Sequence, residues 1–409
     1  MRDVFVAGVG MTAFGRHLDK SHAQLTQWSV SEALEDAGIG AERIQLALYA
    51  NVVQGFFAGE MSIPGEYALR PLGIQGAQVM HIEAACASAT MAFHTAYNYI
   101  KAGIVDIALV VGTEKLYSRD RDKKFAVFKQ PLDAEEAAKY LKKTEGLLYP
   151  IPEGVAVDSV NIMMDAYAAQ ARLHMQIYGT TQRQIAAVAA KNHSHSVHNP
   201  LSQYRNPMSI DEVLAAPQVA WPLTVPMCAP ISDGSAAAIL CSREILATLS
   251  DVKPIKIRGV LSRSGSDRNP ENYDQHVTRL VSRELYEATS VSPADIDVAE
   301  VHDASASGEI VQAEALGLCK PGQGGWDAEM GNTRLGGRIP INVSGGLVSK
   351  GHPLGATGLG QIYELVSQLR GSSGQRQVNG ARLALAENSG GFYGVEDGLS
   401  ALTLLESEK

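Results

Sequence analysis

Apolar positions along the chain follow two alternating patterns, short runs that are apolar on both faces and longer stretches with helical spacing. The short runs predict buried strands, and the longer stretches predict helices. Strands are expected at residues 3–10, 46–53, 107–112, 298–302, 381–387 and 399–405. Helices are expected at residues 24–37, 158–178, 182–193, 275–288 and 304–316. This alternation indicates α/β layers built around mostly buried sheets.

One cysteine, Cys86, stands among small residues just before a helical pattern that ends near Gly103. Ala85 and Ala87 leave room for the backbone to approach closely. A helix N-terminus presents unpaired N–H groups and the positive end of the helix dipole, which lower the pKa of a thiol from about 8.5. The segment therefore predicts a nucleophilic thiolate. The alternative interpretation is a small, inert cysteine in a core helix.

The second half of the chain repeats this arrangement around His352. Residues 341–370 read as a strand end, a glycine-rich loop and a helix. The likeness to the Cys86 segment lies in the pattern and not in residue identity. It indicates two similar halves, each with one reactive side chain at a turn.

Composition narrows the class of protein. The chain has 409 residues, of which 45% are hydrophobic and 19% charged, enough for two domains or two fused halves. The net charge of −9 argues against a general nucleic-acid binder. The N-terminus reads as a strand, and no apolar run reaches the ~18 residues of a membrane span. Four cysteines without metal or disulfide spacing favour a reducing cytoplasm.

Two other patterns have competing interpretations. Gly8, Gly10 and Ala13 fit a dinucleotide-binding spacing, but a polar stretch follows where the helix should begin, so the context fails. Residues 192–200 carry three histidines, which indicate either a metal site or a helix end with hydrogen-bonded histidines. The proline after Asn199 favours the helix end, and no metal ligand is assigned.

Residues 116–152 contain basic side chains among acids and few apolar residues. This composition is typical of a solvated surface, and equally of a rim that binds a phosphate-bearing ligand. In the second interpretation, Arg119 and Arg121 are candidate ligand-binding residues. The segment reads as an excursion from the core.

Four motifs occur in order over nearly the whole chain: ACAS around Cys86, SDGSAAAIL at residues 232–240, HDAS from His302, and SGGLVSKGHPLGATG at residues 344–358. Together they resemble the active-site motifs of the thiolase superfamily. VAGVGMTAFGR near the N-terminus and KNH at residues 191–193 are similar to its sterol-carrier-protein-type and archaeal-type branch. The set is far more specific than any single motif.

The resemblance implies an α/β thiolase fold, in which two similar βαβ-type halves form a five-layered αβαβα core with an inserted cap. Residues 1–115 and 181–255 would form the N-terminal half, residues 116–180 the inserted loop or cap region, and residues 256–409 the C-terminal half. It also implies a homodimer, no permanently bound cofactor and coenzyme A as a substrate. Some relatives in this branch work with a small zinc-ribbon and OB-fold partner protein.

By the same resemblance, the Cys86 thiolate attacks the 3-keto carbon of a 3-oxoacyl-CoA, and carbon–carbon cleavage leaves an acyl-cysteine. His352 would act as general base, and His352 together with a water held by His302 would stabilise the enolate oxygen. The backbone N–H groups of Cys86 and Gly390 would form the second oxyanion hole. Ser344, Gly345 and Gly346 are expected to bind coenzyme A. The glycines at 345, 346, 351 and 355 would let the backbone lie close to the ligand.

Two positions depart from the family pattern. Most thiolases have a second cysteine where the glycines align Asn388, and the sterol-carrier type can use a cysteine where this chain has Ala304. Asparagine cannot take a proton, so another group must protonate the enolate and deprotonate the incoming CoA thiol. The candidates are His352, His302, Glu309, Glu387 and a water.

Three functions remain open. The first is a thiolase that cleaves a 3-oxoacyl-CoA with CoA, for which an aromatic or branched compound such as benzoylsuccinyl-CoA is one possible substrate. The second is a condensing C-acyltransferase of the same fold. The third is a non-catalytic subunit that binds acyl-CoA or lipid. The intact pair of Cys86 and His352 disfavours the third, because binding alone requires neither. Candidates for lining an aromatic pocket are Phe56, Phe57, Phe392 and Tyr393.

Overall fold

A mixed β-sheet forms the centre of the molecule. The computed structural model describes residues 2–118, 134–156, 162–393 and 396–408. The strands are β1 Val4–Met11, β2 Leu46–Ala50, β3 Gln78–Ile82, β4 Ile107–Glu114, β5 Gln218–Ala220, β6 Leu223–Thr224, β7 Gly234–Ser242, β8 Ile255–Ser264, β9 Val298–Glu300, β10 Leu383–Tyr393 and β11 Glu396–Ser407. Nine of them form one sheet in the order β3-β2-β4-β7-β1-β8-β11-β10-β9, and β5 pairs with β6.

Helices lie on both sides of this sheet and between its two halves. They are α1 His22–Ala37, α2 Gln54–Ala58, α3 Pro64–Leu69, α4 Ser88–Lys101, α5 Ala134–Thr144, α6 Ile162–Tyr178, α7 Gln182–Ser196, α8 Ile210–Ala215, α9 Arg243–Leu246, α10 Val277–Thr289, α11 Ala306–Ala315, α12 Gly324–Glu329, α13 Gly346–Lys350 and α14 Thr357–Leu369. Over the described ranges, every helix is too short or too polar to cross a membrane.

The sheet consists of two halves joined at one point. β3, β2, β4, β7 and β1 make the first half, and β8, β11, β10 and β9 make the second. β1 and β8 join them through the antiparallel pairs Phe5 with Lys256 and Val6 with Ile255. In the first half, β2 is parallel to both β3 and β4, as crossover connections through helices require.

Alternate residues of the strands point to different helix layers. Leu46 and Leu48 of β2 belong to one core cluster with α4 and α14, and Ala384 of β10 reaches the same cluster from the second half. Ala47 and Tyr49 pack instead on the side of α1. Residues of α10 and α11 cover the outer face of the second half. Helices α4 and α14 are therefore a central layer between the two half-sheets, and the predicted five-layered α/β fold is confirmed.

The glycines of β1 allow close packing of a helix on the strand. A Cβ on Gly8 would clash with the carbonyl oxygen of Ala33, and a Cβ on Gly10 would clash with that of Ser29, both on α1. Their dinucleotide-like spacing therefore results from strand-to-helix contact.

One local prediction is wrong. The strand at residues 381–387 was expected to end before the glycine-rich residues that follow it, but β10 continues to Tyr393. Asn388 pairs with Ala401 of β11, and Gly390 pairs with Leu399. Glycine is rare within strands, yet it is required where another backbone segment approaches the strand closely. Here that segment is the turn that carries Cys86.

Candidate active site

Cys86 lies in a tight turn between β3 and α4, as the sequence predicts. Ala85 has a φ of 49°, a left-handed conformation that a residue with a Cβ adopts only under constraint. The Ser88 hydroxyl supplies the constraint, because it donates to the Ala85 carbonyl oxygen at 2.6 Å and accepts from the Ala84 N–H at 2.8 Å. The strained turn presents Cys86 one residue before the N-cap of α4, Ala87.

Cys86 opens into a cavity of about 420 Å³. His352, Gly390 and Ala304 line the cavity close to the thiol. The rest of the lining is mainly apolar and comes from both halves and from α6. Among these apolar residues are Met163, Met164, Tyr167, Phe392, Tyr393 and Leu399.

The His352 ring is held so that its basic nitrogen faces the thiol. Its Nε2 lies 3.3 Å from the Cys86 Sγ, and its Nδ1 lies 2.7 Å from the Thr357 Oγ1. The Thr357 hydroxyl donates to the Pro353 carbonyl oxygen at 3.0 Å, so it accepts from Nδ1–H. The Nε2 lone pair therefore points at the thiol, and His352 is oriented as a general base.

The loop that carries His352 is fixed by two long-range contacts. The His352 N–H donates to the Ser232 Oγ at 3.0 Å, which gives the SDG motif a positioning role. The Gly355 N–H donates to the Glu114 Oε2 at 3.0 Å. Glu114 is fully buried at the end of β4 and also accepts from the N–H groups of Val52 and Val53. Burial raises its pKa to about 7. Glu114 was missed from the sequence, where an acid ending an apolar strand is the only signal.

His302 packs edge-on against His352, with ring centroids 5.3 Å apart and an interplanar angle of 78°. One side-chain nitrogen from each histidine and the Cys86 Sγ lie within 4.8 Å of one another. The His302 N–H donates to the Glu387 Oε2 at 2.9 Å, and its Nδ1 accepts from the Asn388 Nδ2 at 3.1 Å. The structure thus brings together Cys86, His352, His302 and Asn388.

Both histidines are neutral at neutral pH. Burial lowers the pKa of His302 to about 3. The pKa of His352 lies well below its ordinary value because of burial and, secondarily, the neighbouring His302. A neutral His352 can accept the thiol proton, and two charged imidazoles in contact would repel each other.

We expect His302→Asn to make stability less sensitive to acid. The depressed native pKa of His302 gives stability that is present above the unfolded pKa of about 6.5 and is lost as the pH falls towards 3. Removing one such group should flatten the slope of unfolding free energy by up to about 1.4 kcal/mol per pH unit. Urea unfolding at several pH values measures this slope, and a slope equal to the wild type's would contradict the assigned pKa shift.

Gly390 brings β10 against the Cys86 turn. A Cβ on Gly390 would clash with the Ala84 carbonyl oxygen and would lie 3.1 Å from the Ala87 nitrogen. Ala304, at the position of the alternative family cysteine, lines the same cavity without a titratable group. Gly390 therefore contributes its backbone to the site, and Ala304 leaves space in the cavity.

Gly390→Ala should displace the turn and lower the rate by about 10²-fold, the typical effect of misplacing one oxyanion donor. The stability should also fall, because the clash is with backbone. Gly40→Ala is the matched control, since Gly40 has an ordinary φ of −79° and the atoms nearest to a Cβ there belong to the flexible Glu42 carboxylate. Steady-state kinetics and thermal unfolding of both variants test this, and an unimpaired Gly390→Ala enzyme would rule out the close approach.

The three residues predicted to approach coenzyme A lie outside the cavity lining. The Ser344 Oγ donates to the Glu300 Oε2 at 2.5 Å in the buried core. A Cβ on Gly345 would lie 2.6 Å from the Ser196 Cβ, and one on Gly346 would clash with the Asp303 carboxylate. Their positive φ angles of 110° and 59° serve the packing of the loop before α13. Arg119 and Arg121 lie outside the described residues.

Two of the candidate proton carriers, Glu309 and Glu387, form hydrogen bonds or ion pairs with other groups of the protein. Glu309 forms an ion pair with Lys191 at 2.8 Å and accepts from Asn192 and Asn342. Burial raises the pKa of Glu387 to about 8, but its oxygens accept from the His302 N–H and from a serine hydroxyl. Neither carboxylate lines the cavity. Of the candidates, the two histidines lie next to the thiol.

Two histidines near the end of α7 contact backbone carbonyl oxygens of the protein. His193 contacts the Pro226 carbonyl oxygen at 3.3 Å, and His195 contacts the Asn342 carbonyl oxygen at 2.9 Å. Within the described ranges, the one group of Cys, His and carboxylate atoms with metal-like spacing is Cys86, His302 and His352. In this group, the Nε2 lone pair of His352 faces the Cys86 thiol.

A thiol with an oriented imidazole base, at a helix start on an apolar cavity, is suited to cysteine-based acyl transfer. Two family models match the chain: "Thiolase, N-terminal domain" over residues 4–216 and "Thiolase C-terminal domain-like" over residues 263–397. The chain belongs to the thiolase family.

Several curated relatives match nearly the whole chain. The acetyl-CoA acetyltransferase of Methanothermobacter thermautotrophicus is 34% identical over 96% of this chain and 98% of its own length. Human sterol carrier protein 2 is 36% identical over 95% of this chain and 70% of its own length. The benzoylsuccinyl-CoA thiolase subunit BbsB of Thauera aromatica is 31% identical over 95% of both chains.

Solved structures share the fold. The "Ltp2-ChsH2(DUF35) aldolase" superposes with a TM-score of 0.79 at 23% identity, over 100% of this chain and 98% of that one. Human mitochondrial 3-ketoacyl-CoA thiolase superposes with a TM-score of 0.69 at 15% identity, over 100% of this chain and 99% of that one.

Proposed function

We propose that this chain is an acyl-CoA C-acyltransferase of the thiolase type, which cleaves a 3-oxoacyl-CoA with CoA through an acyl-cysteine on Cys86. The observation that carries the proposal is the 3.3 Å contact between the His352 Nε2 and the Cys86 Sγ at the cavity. The 34% identity to an acetyl-CoA acetyltransferase supports it.

In the first half-reaction, His352 takes the proton of Cys86, and the sulfur attacks the 3-keto carbon. The bond between the second and third carbons breaks, which leaves an acyl-cysteine and the enolate of a shorter acyl-CoA. His352 then returns the same proton to the enolate carbon. The step is balanced, so no second cysteine is required.

In the second half-reaction, CoA is the nucleophile. His352 removes the proton of the CoA thiol, whose sulfur attacks the acyl carbonyl of the acyl-cysteine. The tetrahedral intermediate collapses, the new acyl-CoA leaves, and the proton returns to Cys86. One histidine thus serves both half-reactions. This agrees with the contacts that Glu309 and Glu387 make with other groups.

Three donors stabilise the two oxyanions in this proposal. The backbone N–H groups of Cys86 and Gly390 receive the oxygen of the tetrahedral intermediate, supported by the close approach of Gly390 to the turn. His302, neutral and next to the thiol, supports the enolate oxygen, directly or through a water. Each donor of this kind is worth about 10²–10³ in rate.

The apolar cavity favours a bulky acyl group. Phe392 and Tyr393 line it, as the sequence predicted, whereas Phe56 and Phe57 are not part of the lining. Methionine side chains from α6 add an adaptable wall. We therefore propose a branched or aromatic 3-oxoacyl-CoA, with benzoylsuccinyl-CoA as one example, supported by the 31% identity to BbsB. Condensation, the reverse direction, would use the same groups.

Partners and compartment are also proposals. A homodimer follows from the family resemblance. A small zinc-ribbon and OB-fold partner is supported by the DUF35 component named in the structure with a TM-score of 0.79. The cysteines at 86, 228, 241 and 319 are thiols rather than disulfides, which supports a reducing cytoplasm.

A thiolysis assay over acetoacetyl-CoA and long, branched and aromatic 3-oxoacyl-CoA compounds tests this function. We expect CoA-dependent cleavage, with the highest kcat/KM for a bulky substrate. Binding of acyl-CoA without cleavage or condensation of any substrate would instead identify a binding subunit.

Leu399→Trp should separate bulky from small substrates. Leu399 lines the cavity, so the larger ring should lower kcat/KM for branched and aromatic substrates by at least about 10-fold, as overpacking by 1–3 kcal/mol predicts. Acetoacetyl-CoA should be affected much less. Leu18→Trp, at an exposed position, is the control. Equal losses for all substrates would contradict an acyl-binding role for this wall.

A further inference from the structure

Asn388 is clamped between α4 and His302. It is 1% exposed on β10. Its Oδ1 accepts from the Thr90 hydroxyl at 3.1 Å, and its Nδ2 donates to the His302 Nδ1 at 3.1 Å. In this orientation of the amide, the Asn388 side chain accepts one hydrogen bond, from the Thr90 hydroxyl, and donates another to His302.

The surroundings leave this pair little freedom. A Cβ on Gly358, at the start of α14, would clash with the Thr90 Oγ1 and would lie 3.1 Å from the Asn388 Oδ1. Thr90 lies in the first turn of α4, four residues after Cys86. The hydrogen bonds from Thr90 through Asn388 to His302 therefore begin on α4, the helix that follows the nucleophile.

An amide N–H that donates to Nδ1 selects one tautomer of a neutral imidazole. Nδ1 must then be the acceptor, so the hydrogen is on Nε2. In contrast, the Thr357 contact places the hydrogen of His352 on Nδ1. The two rings are neighbours, yet one is set as a donor and the other as an acceptor at Nε2.

We propose that Asn388 is a positioning residue that holds His302 in the Nε2–H tautomer, which makes His302 a fixed hydrogen-bond donor and leaves proton transfer to His352. The mechanistic part of this inference rests on the proposed function. The tautomer itself does not, because it follows from the contacts of Asn388 alone.

Asn388→Asp is the sharpest variant, because it keeps the shape and removes the donor. A carboxylate only accepts, so it requires a hydrogen on the His302 Nδ1 and favours the doubly protonated ring. We expect kcat to fall about 10²-fold, as for a lost oxyanion donor, with KM much less affected. The pH profile of kcat/KM should gain an ionisation between pH 5 and 8.

Thr90 offers a matched pair of variants. Thr90→Ser keeps the hydroxyl that fixes the amide and should preserve the Nε2–H tautomer. Thr90→Val keeps the shape without the hydroxyl, so the amide can rotate and both tautomers should appear. A merely structural role for Asn388 would leave the tautomer and the pH profile unchanged in all these variants.

Two-bond ¹H–¹⁵N correlation spectra of ¹⁵N-histidine-labelled protein report the tautomer directly. The His302 signals are assigned by their loss in His302→Asn. We expect Nε2–H in the wild type and in Thr90→Ser, and Nδ1–H or the imidazolium in Asn388→Asp. A wild-type Nδ1–H tautomer overturns the inference, even if Asn388→Asp fails to fold. A correct tautomer in a protein without thiolysis activity would refute the proposed function and leave the positioning role intact.

Discussion

Cys86→Ala is expected to lower the rate of thiolysis by at least about 10⁴-fold, the order of loss seen when a covalent nucleophile is removed. The physical reason is that both half-reactions pass through a thioester on the Cys86 sulfur. Binding of the acyl-CoA should persist, because the apolar cavity lining is unchanged. Steady-state kinetics together with calorimetric binding of a 3-oxoacyl-CoA measures both effects.

Cys228→Ala is the matched control for this experiment. Burial raises the pKa of Cys228 to about 12, so it is protonated at neutral pH and is outside the cavity lining. The control should retain wild-type activity. Substantial thiolysis by Cys86→Ala, or a comparable loss in Cys228→Ala, would contradict the assignment of the nucleophile.

His352→Ala should produce the second-largest loss, about 10³-fold in kcat, within the range for removal of a general base. Its Nε2 faces the thiol at 3.3 Å. Alkylation of Cys86 by iodoacetamide at neutral pH should slow in parallel. This measurement requires no substrate and isolates the pairing of the two groups.

His81→Ala provides the corresponding control, because His81 is an exposed residue on β3, outside the cavity lining. In this variant, iodoacetamide should alkylate Cys86 at the wild-type rate, and thiolysis should also proceed at the wild-type rate. If His352→Ala alkylated as fast as this control, His352 would not be the base that activates Cys86.

Local patterns were sufficient to predict the positions of Cys86 and His352. A strand, a small-residue turn and a helix can each be read within a short window, and the structure has β3, the Cys86 turn and α4 in that order. The alternation of apolar runs likewise predicted the α/β layers, because a strand that is buried on both faces is apolar at consecutive positions.

The glycines were harder to interpret, because a close approach to a ligand and a close approach to the protein select the same residue. Gly345 and Gly346 were expected beside coenzyme A, yet their backbone packs against Ser196 and Asp303. Gly390 was expected beyond the end of the strand at residues 381–387 and lies within β10. In each case the deciding contact is with a residue distant in sequence.

Most of the contacts that orient the two histidines could not be found from the sequence for the same reason. Thr357 bonds to a ring five residues away, but Thr90 and Asn388 are 298 residues apart, and Glu114 reaches Gly355 across 241 residues. Threonine and glutamate at these positions have no local pattern of their own. Only the packing of the two halves around α4 and α14 brings them to the site.

The most direct test of the central claim is intact-protein mass spectrometry after brief mixing with a 3-oxoacyl-CoA, followed by peptide mapping. We predict a mass increase equal to the acyl group on the peptide that contains Cys86, released by added CoA. The same increase on Cys86→Ala protein would contradict the account, because the acyl group would then be carried by another residue.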